Sequence, residues 1–258
     1  MGDEALFENE RQAKILEILR EDAHVRVTDL SQRLGVSENT IRRDLDKLHK
    51  MGEVLRIHGG AATVKKVPPQ LFILKRIEEN LDLKQRIGQA AASLVQDGET
   101  VFIGSGSTTL EVARHLIDRK QLTIISNSLL VINLLVQQEG LTVIETGGFL
   151  NPPELSFIGH LTEQALDQLR PQKSIMGIRA LSIESGLTNE NLTEVSTDRT
   201  ILHTAPEVIL VADHTKIGKV STALVAPLTA IHTLVTDRGA PPEFVDRVKD
   251  LGISVIIC

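Results

Sequence analysis

Apolar positions recur along this chain at two different periods, and the change of period divides it. From Glu8 to Arg20, Ala13, Leu16, Ile18 and Leu19 supply one apolar side of a helix. His24-Val25-Arg26-Val27 is a short extended link, and Thr28 is placed to cap a second helix, Asp29–Leu34, that turns Leu30 and Leu34 inward. Leu34-Gly35-Val36-Ser37 reads as a sharp turn. Gly35 can take the left-handed conformation that ends one helix, and the Ser37 hydroxyl can cap the next. Over Ser37–Lys50, Ile41, Leu45 and Leu48 recur at four and three residues and mark a single buried face. Asn39, Thr40, Arg42, Arg43 and Lys47 fall away from that stripe, and Glu38 suits the positive end of the helix dipole. Gly52 ends this helix, and Glu53–Gly60 alternates like a strand returning through a glycine turn. Three helices and a hairpin predict a winged helix-turn-helix over residues 1–61. Its third helix carries the donors and positive charge that a helix in a DNA major groove needs.

Residues 62–80, with Lys65-Lys66 and Pro68-Pro69, are expected to form a stiff polar linker. From Leu81 to Cys258 the pattern becomes short apolar runs alternating with amphipathic stretches. Strands are predicted at Thr100–Ile103, Leu122–Ser126, Thr142–Thr146, Ser174–Ile178, Val208–Ala212, Thr233–Asp237 and Ser254–Ile257. Helices fall at Asp82–Val95, Leu110–Ile117, Ser128–Gln137 and near 161–169, 192–204 and 242–250. This alternation predicts an α/β domain with a doubly wound, mostly parallel sheet, in which ligands sit at the carboxyl ends of the strands. One such end is Gly104-Ser105-Gly106-Ser107-Thr108-Thr109, which opens a helix and offers free N–H groups and hydroxyls to an anion. Ser126-Asn127-Ser128, Gly147-Gly148 and Ala212-Asp213-His214-Thr215-Lys216 are further polar strand ends.

Charge sharpens the division. The net charge is −6, yet residues 24–66 hold nine Lys/Arg against five Asp/Glu, while residues 67–258 hold 16 basic against 22 acidic residues. The basic excess therefore lies on the segment expected against DNA, and the remainder would be repelled by phosphate. There is no Trp and no Tyr, so stacking platforms for single-stranded nucleic acid or bare sugar rings are nearly absent. The only cysteine, Cys258, excludes an internal disulfide and a cysteine-based metal site. With no run of about 18 apolar residues and an acidic, polar start, neither membrane span nor signal peptide is expected, and a cytoplasmic location is.

Val36-Ser37, Thr40-Ile41-Arg42-Arg43-Asp44-Leu45, Leu48, Gly52 and Arg56-Ile57-His58-Gly59-Gly60-Ala61 together resemble the N-terminal signature of the DeoR family of bacterial transcriptional regulators. That resemblance implies that Ser37, Asn39, Thr40, Arg42 and Arg43 face DNA, with Arg56 and His58 on the wing; Lys47 is expected on the phosphates. Asp44 is expected to orient Arg43 or a basic wing residue, since an acid is unwelcome near phosphate.

The strand-end segments resemble the effector domain of the same family, similar in fold to ribose-5-phosphate isomerase and the coenzyme A transferases. The implied ligand is a phosphorylated sugar, with no other cofactor and no metal. Gly104, Ser105, Gly106, Ser107 and Thr108 would cradle its phosphate. Asn127 would bond a sugar hydroxyl or the phosphate, Gly147 and Gly148 would border it, and Lys216 would supply charge with Asp213 fixing it. The resemblance further implies a repressor of a carbohydrate catabolic operon, binding double-stranded operator DNA as a homodimer or homotetramer.

The rival class is a sugar-phosphate isomerase with an appended DNA-binding domain. It needs a positioned carboxylate. The candidates Glu145, Glu154, Glu184 and Glu194 show no paired-acid motif and are expected on the solvated surface. A nicotinamide enzyme is disfavoured because Thr109 stands where the third glycine of the dinucleotide fingerprint belongs.

Overall fold

A computed structural model describes residues 8–22, 24–51, 53–57, 59–63 and 71–258. The chain separates into two compact units, divided between Pro68 and Pro69. In the first, the order is α1 (Glu8–Glu21), β1 (His24–Arg26), α2 (Val27–Leu34), α3 (Glu38–Lys50), β2 (Val54–Ile57) and β3 (Gly60–Thr63). Gly35 is left-handed at φ 66°, and the Ser37 hydroxyl accepts the Thr40 N–H, so the turn into α3 is built as its residues demand. Ile41, Leu45 and Leu48 are buried with Ile15, Leu19, Leu30 and Val54 in one apolar cluster. β1, β3 and β2 form an antiparallel sheet in that order, with Arg26 opposite Gly60 and Ile57 opposite Gly60. The winged helix-turn-helix is therefore present, and the extended link at His24 is a strand of its wing. The second helix starts at Val27 rather than Asp29, with Arg26 in the cap position. Gly52 and His58 lie outside the described residues.

Asp44 corrects an expectation. It is 2% exposed and turned inward, where Arg11 of α1 donates Nε–H to its Oδ2 at 2.6 Å and Nη2–H to its Oδ1 at 3.3 Å. The acid in the third helix therefore fixes α1 against α3 and orients neither Arg43 nor the wing. A pair this enclosed holds only while both partners are present.

The second unit begins earlier than expected, because helix α4 (Phe72–Glu78) occupies the stretch expected to be linker and buries Ile73 completely. There follow α5 (Leu81–Ala92), β4 (Thr100–Ile103), α6 (Ser107–Arg114), β5 (Leu122–Ser126), α7 (Leu129–Leu135), β6 (Leu141–Glu145), β7 (Phe149–Asn151), β8 (Ser156–Ile158), α8 (His160–Gln168), β9 (Lys173–Met176), β10 (Ala180–Ser182), β11 (Gly186–Asn189), α9 (Leu192–Thr204), β12 (Glu207–Val211), β13 (Ala223–Ala226), β14 (Thr233–Thr236), α10 (Pro242–Asp250) and β15 (Ser254–Ile257). Among the described residues a seven-stranded sheet runs β15-β14-β12-β9-β4-β5-β6 with every pairing parallel. Two antiparallel additions escaped the sequence reading: the β7–β8 hairpin and a small sheet β10-β11-β13.

The main sheet is covered on both faces, as a parallel sheet must be. Along β12, Val208 and Leu210 enter one apolar cluster, with Val195 of α9 and Phe244 of α10. Ile209 and Val211 enter the other, with Ile87 of α5, Val112 of α6 and Leu135 of α7. Burial on both faces is why these strands read as continuous apolar runs. No helix among the described residues is long and apolar enough to cross a membrane.

Breaking the Arg11–Asp44 pair should loosen the first unit alone. We expect Asp44→Ala to cost about 3 kcal/mol, since it removes one partner of an enclosed ion pair. Hydrogen exchange would show amides of α1 and α3 losing protection while those of β12 keep theirs. Unchanged exchange in α3 would refute the brace.

Candidate functional site

The chain leaves β4 in one direction, through β5 to β6, and returns to the other side of β4 with β9, continuing to β12, β14 and β15. The reversal of direction falls between β4 and β9, and loops that diverge there leave a cleft above the strand ends. The Gly104 N–H donates to the Ile175 carbonyl at 2.9 Å and holds the two strands together at the lip. The cleft is lined on the β4 side by Ser105, Gly106, Ser107 and Thr108, on the β9 side by Gly177, Ile178 and Arg179, and beyond them by Ala212 and Lys216 of the β12 end.

Its floor is the start of α6. Gly106 caps the helix at φ 147°, a conformation that a side chain would strain, and a Cβ there would come 3.2 Å from Thr109 Oγ1. The first intrahelical bond is from Leu110 N–H to the Gly106 carbonyl. The N–H groups of Ser107, Thr108 and Thr109 therefore point out of the helix end, where the dipole favours an anion. Ser107 and Thr108 are buried at this end, and the half-buried Lys216 ammonium faces the same space. Burial pulls the Lys216 pKa down from its ordinary value, with Asp213 opposing.

Other expected ligand contacts have different work. Asn127 is 3% exposed, and both ends of its amide are taken: Oδ1 accepts the Ser105 N–H at 3.1 Å and Nδ2 donates to the Phe157 carbonyl at 3.0 Å. It braces the β4 loop against β8 and does not line the cleft. Gly147 and Gly148 lie between β6 and β7 and are not among the residues that line the cleft. The Gly147 carbonyl accepts the Thr162 hydroxyl at 2.7 Å, and a Cβ on Gly148 would meet Thr162 Oγ1 at 2.0 Å. Gly104 is buried behind the lip. Asp213 accepts the N–H and hydroxyl of Thr215, so it caps the short turn that carries Lys216 and makes no direct bond to the ammonium. His214 steadies the same turn, its N–H and ring meeting the two oxygens of buried Asp237 at 2.7 and 2.8 Å.

The structure brings in groups the sequence reading did not select. Arg76 of α4 and Arg179 after β9 each bond one oxygen of the Glu154 carboxylate. Glu194 and Asp198 of α9 share the Asn189 amide, Nδ2 donating to Glu194 Oε2 at 3.1 Å and to Asp198 Oδ2 at 2.8 Å. Glu154 and Glu194 are thus buried in the cleft and not solvated, whereas Glu145 and Glu184 are exposed as expected. The strand-end rule applied to β9 would have found Arg179. Nothing local to the sequence marks Arg76. No cluster of His, Cys, Asp or Glu among the described residues could hold a metal ion.

Burial sets the acids here. It raises Glu194, with Asn189 opposing. It pushes Asp198 from an ordinary 3.8 up to about 7, again against the Asn189 bond. A carboxyl whose folded pKa is raised contributes most below its unfolded value and loses that contribution as pH climbs through its folded value. Asp198→Asn keeps the shape and the acceptor for Asn189, and removes the titration. The variant should therefore match the parent in stability at pH 4 and exceed it at pH 8, the gap opening between. Urea denaturation across that range measures it; a constant difference would mean Asp198 does not titrate there.

On the DNA side, α3 presents Asn39, Arg42, Arg43 and Lys47 to solvent with Thr40 half-exposed, while Ser37 is exposed and bonds the Thr40 hydroxyl at 2.9 Å. Arg42 pairs with Glu38 at 2.9 Å, both exposed. Arg56 is more committed: its Nε meets Asp46 at 3.0 Å and its Nη1 donates to the Gly60 carbonyl at 2.9 Å.

Comparison with known proteins matches both units. The DeoR-like helix-turn-helix domain model covers residues 11–67, and the DeoR C terminal sensor domain model covers 79–238. The transcriptional repressor AccR of Agrobacterium fabrum is 35% identical over 231 residues, spanning 89% of this chain and 90% of that protein. A putative aga operon transcriptional repressor of Escherichia coli O157:H7 is 31% identical over 251 residues, 96% of this chain and 93% of its own length. Among solved structures, ribose 5-phosphate isomerase A from Methanocaldococcus jannaschii aligns over 54% of this chain and 55% of its own, at 20% identity and a TM-score of 0.41. With one family model on each unit and full-length relatives at this identity, the chain belongs to the DeoR family of transcriptional regulators.

Proposed function

We propose that this regulator represses a carbohydrate catabolic operon and releases its operator when a phosphorylated sugar fills the β4–β9 cleft. The observation that carries the reading is the meeting of the α6 N-terminus, the Ser107 and Thr108 hydroxyls and Lys216 in one concave site at the topological switch. Those are anion ligands. The far wall, with Glu194 and Asp198 held by Asn189, offers carboxyl groups for sugar hydroxyls. The relatives are transcriptional regulators, and we read the cleft as a binding site without turnover. We take the operator to be double-stranded and read by Asn39, Thr40, Arg42 and Arg43. The protein would act as a homodimer or homotetramer, because one recognition helix spans only a few base pairs.

A hydrogen bond to a charged group contributes about 1.5–3 kcal/mol, so phosphate should supply much of the affinity. Calorimetry on matched sugar and sugar-phosphate pairs should find the phosphorylated member far tighter. Ser107→Ala and Lys216→Ala should each remove a large part of that preference while operator binding persists. Equal affinities, or a preference surviving both substitutions, would place the ligand elsewhere.

Arg42→Ala and Arg43→Ala should each cost about 1–3 kcal/mol of operator affinity if the guanidinium reads a base through two bonds. Lys47→Ala should weaken all sequences alike and lower the salt slope by about one. Fluorescence anisotropy on operator and scrambled DNA separates the two effects, and full operator affinity in the double arginine variant would remove α3 from the groove.

A further inference from the structure

Glu154 is a 6% exposed carboxylate with one arginine on each oxygen, Arg76 on Oε2 and Arg179 on Oε1. Arg179 has a second acid within reach, its Nε lying 3.7 Å from the exposed Glu190 carboxylate, whereas Glu154 is the acid that Arg76 bonds. Arg76 is also under-used. Its Nε is buried and has no hydrogen-bond partner among the described residues, although a guanidinium edge normally offers Nε–H and Nη–H together to one oxyanion. A buried orphan donor is costly and marks a place where an acceptor belongs. Arg76, Glu154 and Arg179 all line the cleft that holds the α6 N-terminus, and α4 packs against α6.

The short helix that carries Arg76 is itself held at both ends. The buried Lys84 ammonium donates to the carbonyls of Arg76 and Glu79, at the end of α4 where the dipole favours a cation. Ile73 is buried and its N–H donates at 3.0 Å to the carbonyl of Pro153, the neighbour of Glu154. The helix is therefore tied to the turn at 152–155 by two bonds, one of them the Arg76–Glu154 pair. Among the described residues α4 is also the first helix in chain order after the DNA-binding unit.

We propose that Arg76 and Arg179 are a second oxyanion contact of the cleft, occupied by Glu154 as a built-in competitor, and that an anionic ligand takes Arg76 from Glu154 and so transfers one of the two ties on α4 from the 152–155 turn to the ligand. This rests on reading the cleft as an anion site. It makes Glu154 a carboxylate that opposes ligand binding, and Arg76 the residue through which occupancy reaches the chain leading to the DNA-binding unit.

The test uses the full chain and inorganic phosphate as probe, with affinity from calorimetry and hydrogen exchange read at 105–110 and 71–80. In the parent, phosphate should protect 105–110 and change the exchange of 71–80. Glu154→Gln removes the competitor, and phosphate should bind about tenfold tighter, as expected for one charge deleted a few ångströms away in a partly wet site. A purely structural Glu154 would instead lower stability with no gain in affinity. Arg76→Gln should keep protection at 105–110 with weaker binding and abolish the response at 71–80. Arg76→Lys, which keeps the charge and loses the fork, should do the same more mildly. Unchanged or weaker binding in Glu154→Gln, or a 71–80 response that survives Arg76→Gln, overturns the exchange. If those failures come with 105–110 protection that Ser107→Ala abolishes, the cleft reading stands alone. If phosphate protects nothing in the parent, both fall.

Discussion

The side-by-side parallel pairing of β4 and β9 is the constraint on which the second unit's chemistry depends. Phe102 stands opposite Ser174 and Ile103 opposite Ile175, and the Gly104–Ile175 bond extends the ladder one step beyond the strand. Parallel neighbours must exit at the same end. Because the chain turns to opposite sides from these two, their exits cannot cover each other, and the opening is a consequence of topology. What each exit contributes follows from what it carries: a glycine-capped helix start after β4, and Gly177-Ile178-Arg179 after β9.

Filling that opening with charge works against stability. Burial lowers Arg76 and Lys84 from their ordinary values and raises Glu194 and Asp198. A core of apolar side chains would avoid every one of these costs, and buried ion pairs seldom return more than they cost to desolvate. The sheet beneath carries the burden, with apolar clusters on both faces and strands such as β12 buried along nearly their whole length. Such a site, in which the buried Arg76 Nε–H meets no acceptor among the described residues, would gain from a ligand that supplies one. Under the proposed exchange at Arg76, coupling to DNA would require that the ligand prefer one arrangement of α4 over another.

How much of this was legible in the sequence depended on range. Strand and helix positions in the second unit follow from local periodicity and came within a few residues: Ser254–Ile257 matches in full, and Thr100–Ile103 likewise. The Gly35 turn and the Ser37 cap depend on neighbours in sequence and were readable for the same reason. The bonds that Asn127 makes could not be read locally, because its partners, Ser105 and Phe157, lie 22 and 30 residues away. A polar residue at a strand end looks identical whether it faces a ligand or braces a loop. Asp44 met Arg11 across 33 residues, and Arg76 reached Glu154 across 78. Helix α4 was hidden by the polar, proline-marked stretch before it, although Ile73 supplies its anchor. The small antiparallel strands are only three or four residues long, too short for an alternation to register.

The same distinction between committed and uncommitted charge sorts the basic residues of the first unit. Arg11 is enclosed with Asp44, and Arg56 is half-buried with ties to both Asp46 and the Gly60 carbonyl, so moving either toward DNA would break several bonds at once. Arg42 also has a partner, but its pair with Glu38 is exposed at both ends and four residues apart on one helix. Such a pair is worth about 0.3–0.5 kcal/mol, well below the roughly 1–3 kcal/mol of a two-bond contact to guanine. On the proposed reading, the Glu38 contact would yield to a base edge. Arg43 meets no acidic partner among the described residues and needs no exchange at all. Arg42 and Arg43 are thus the guanidiniums of α3 with little internal commitment, while Arg56 ties β2 to Asp46 of α3 and to Gly60 at the start of β3.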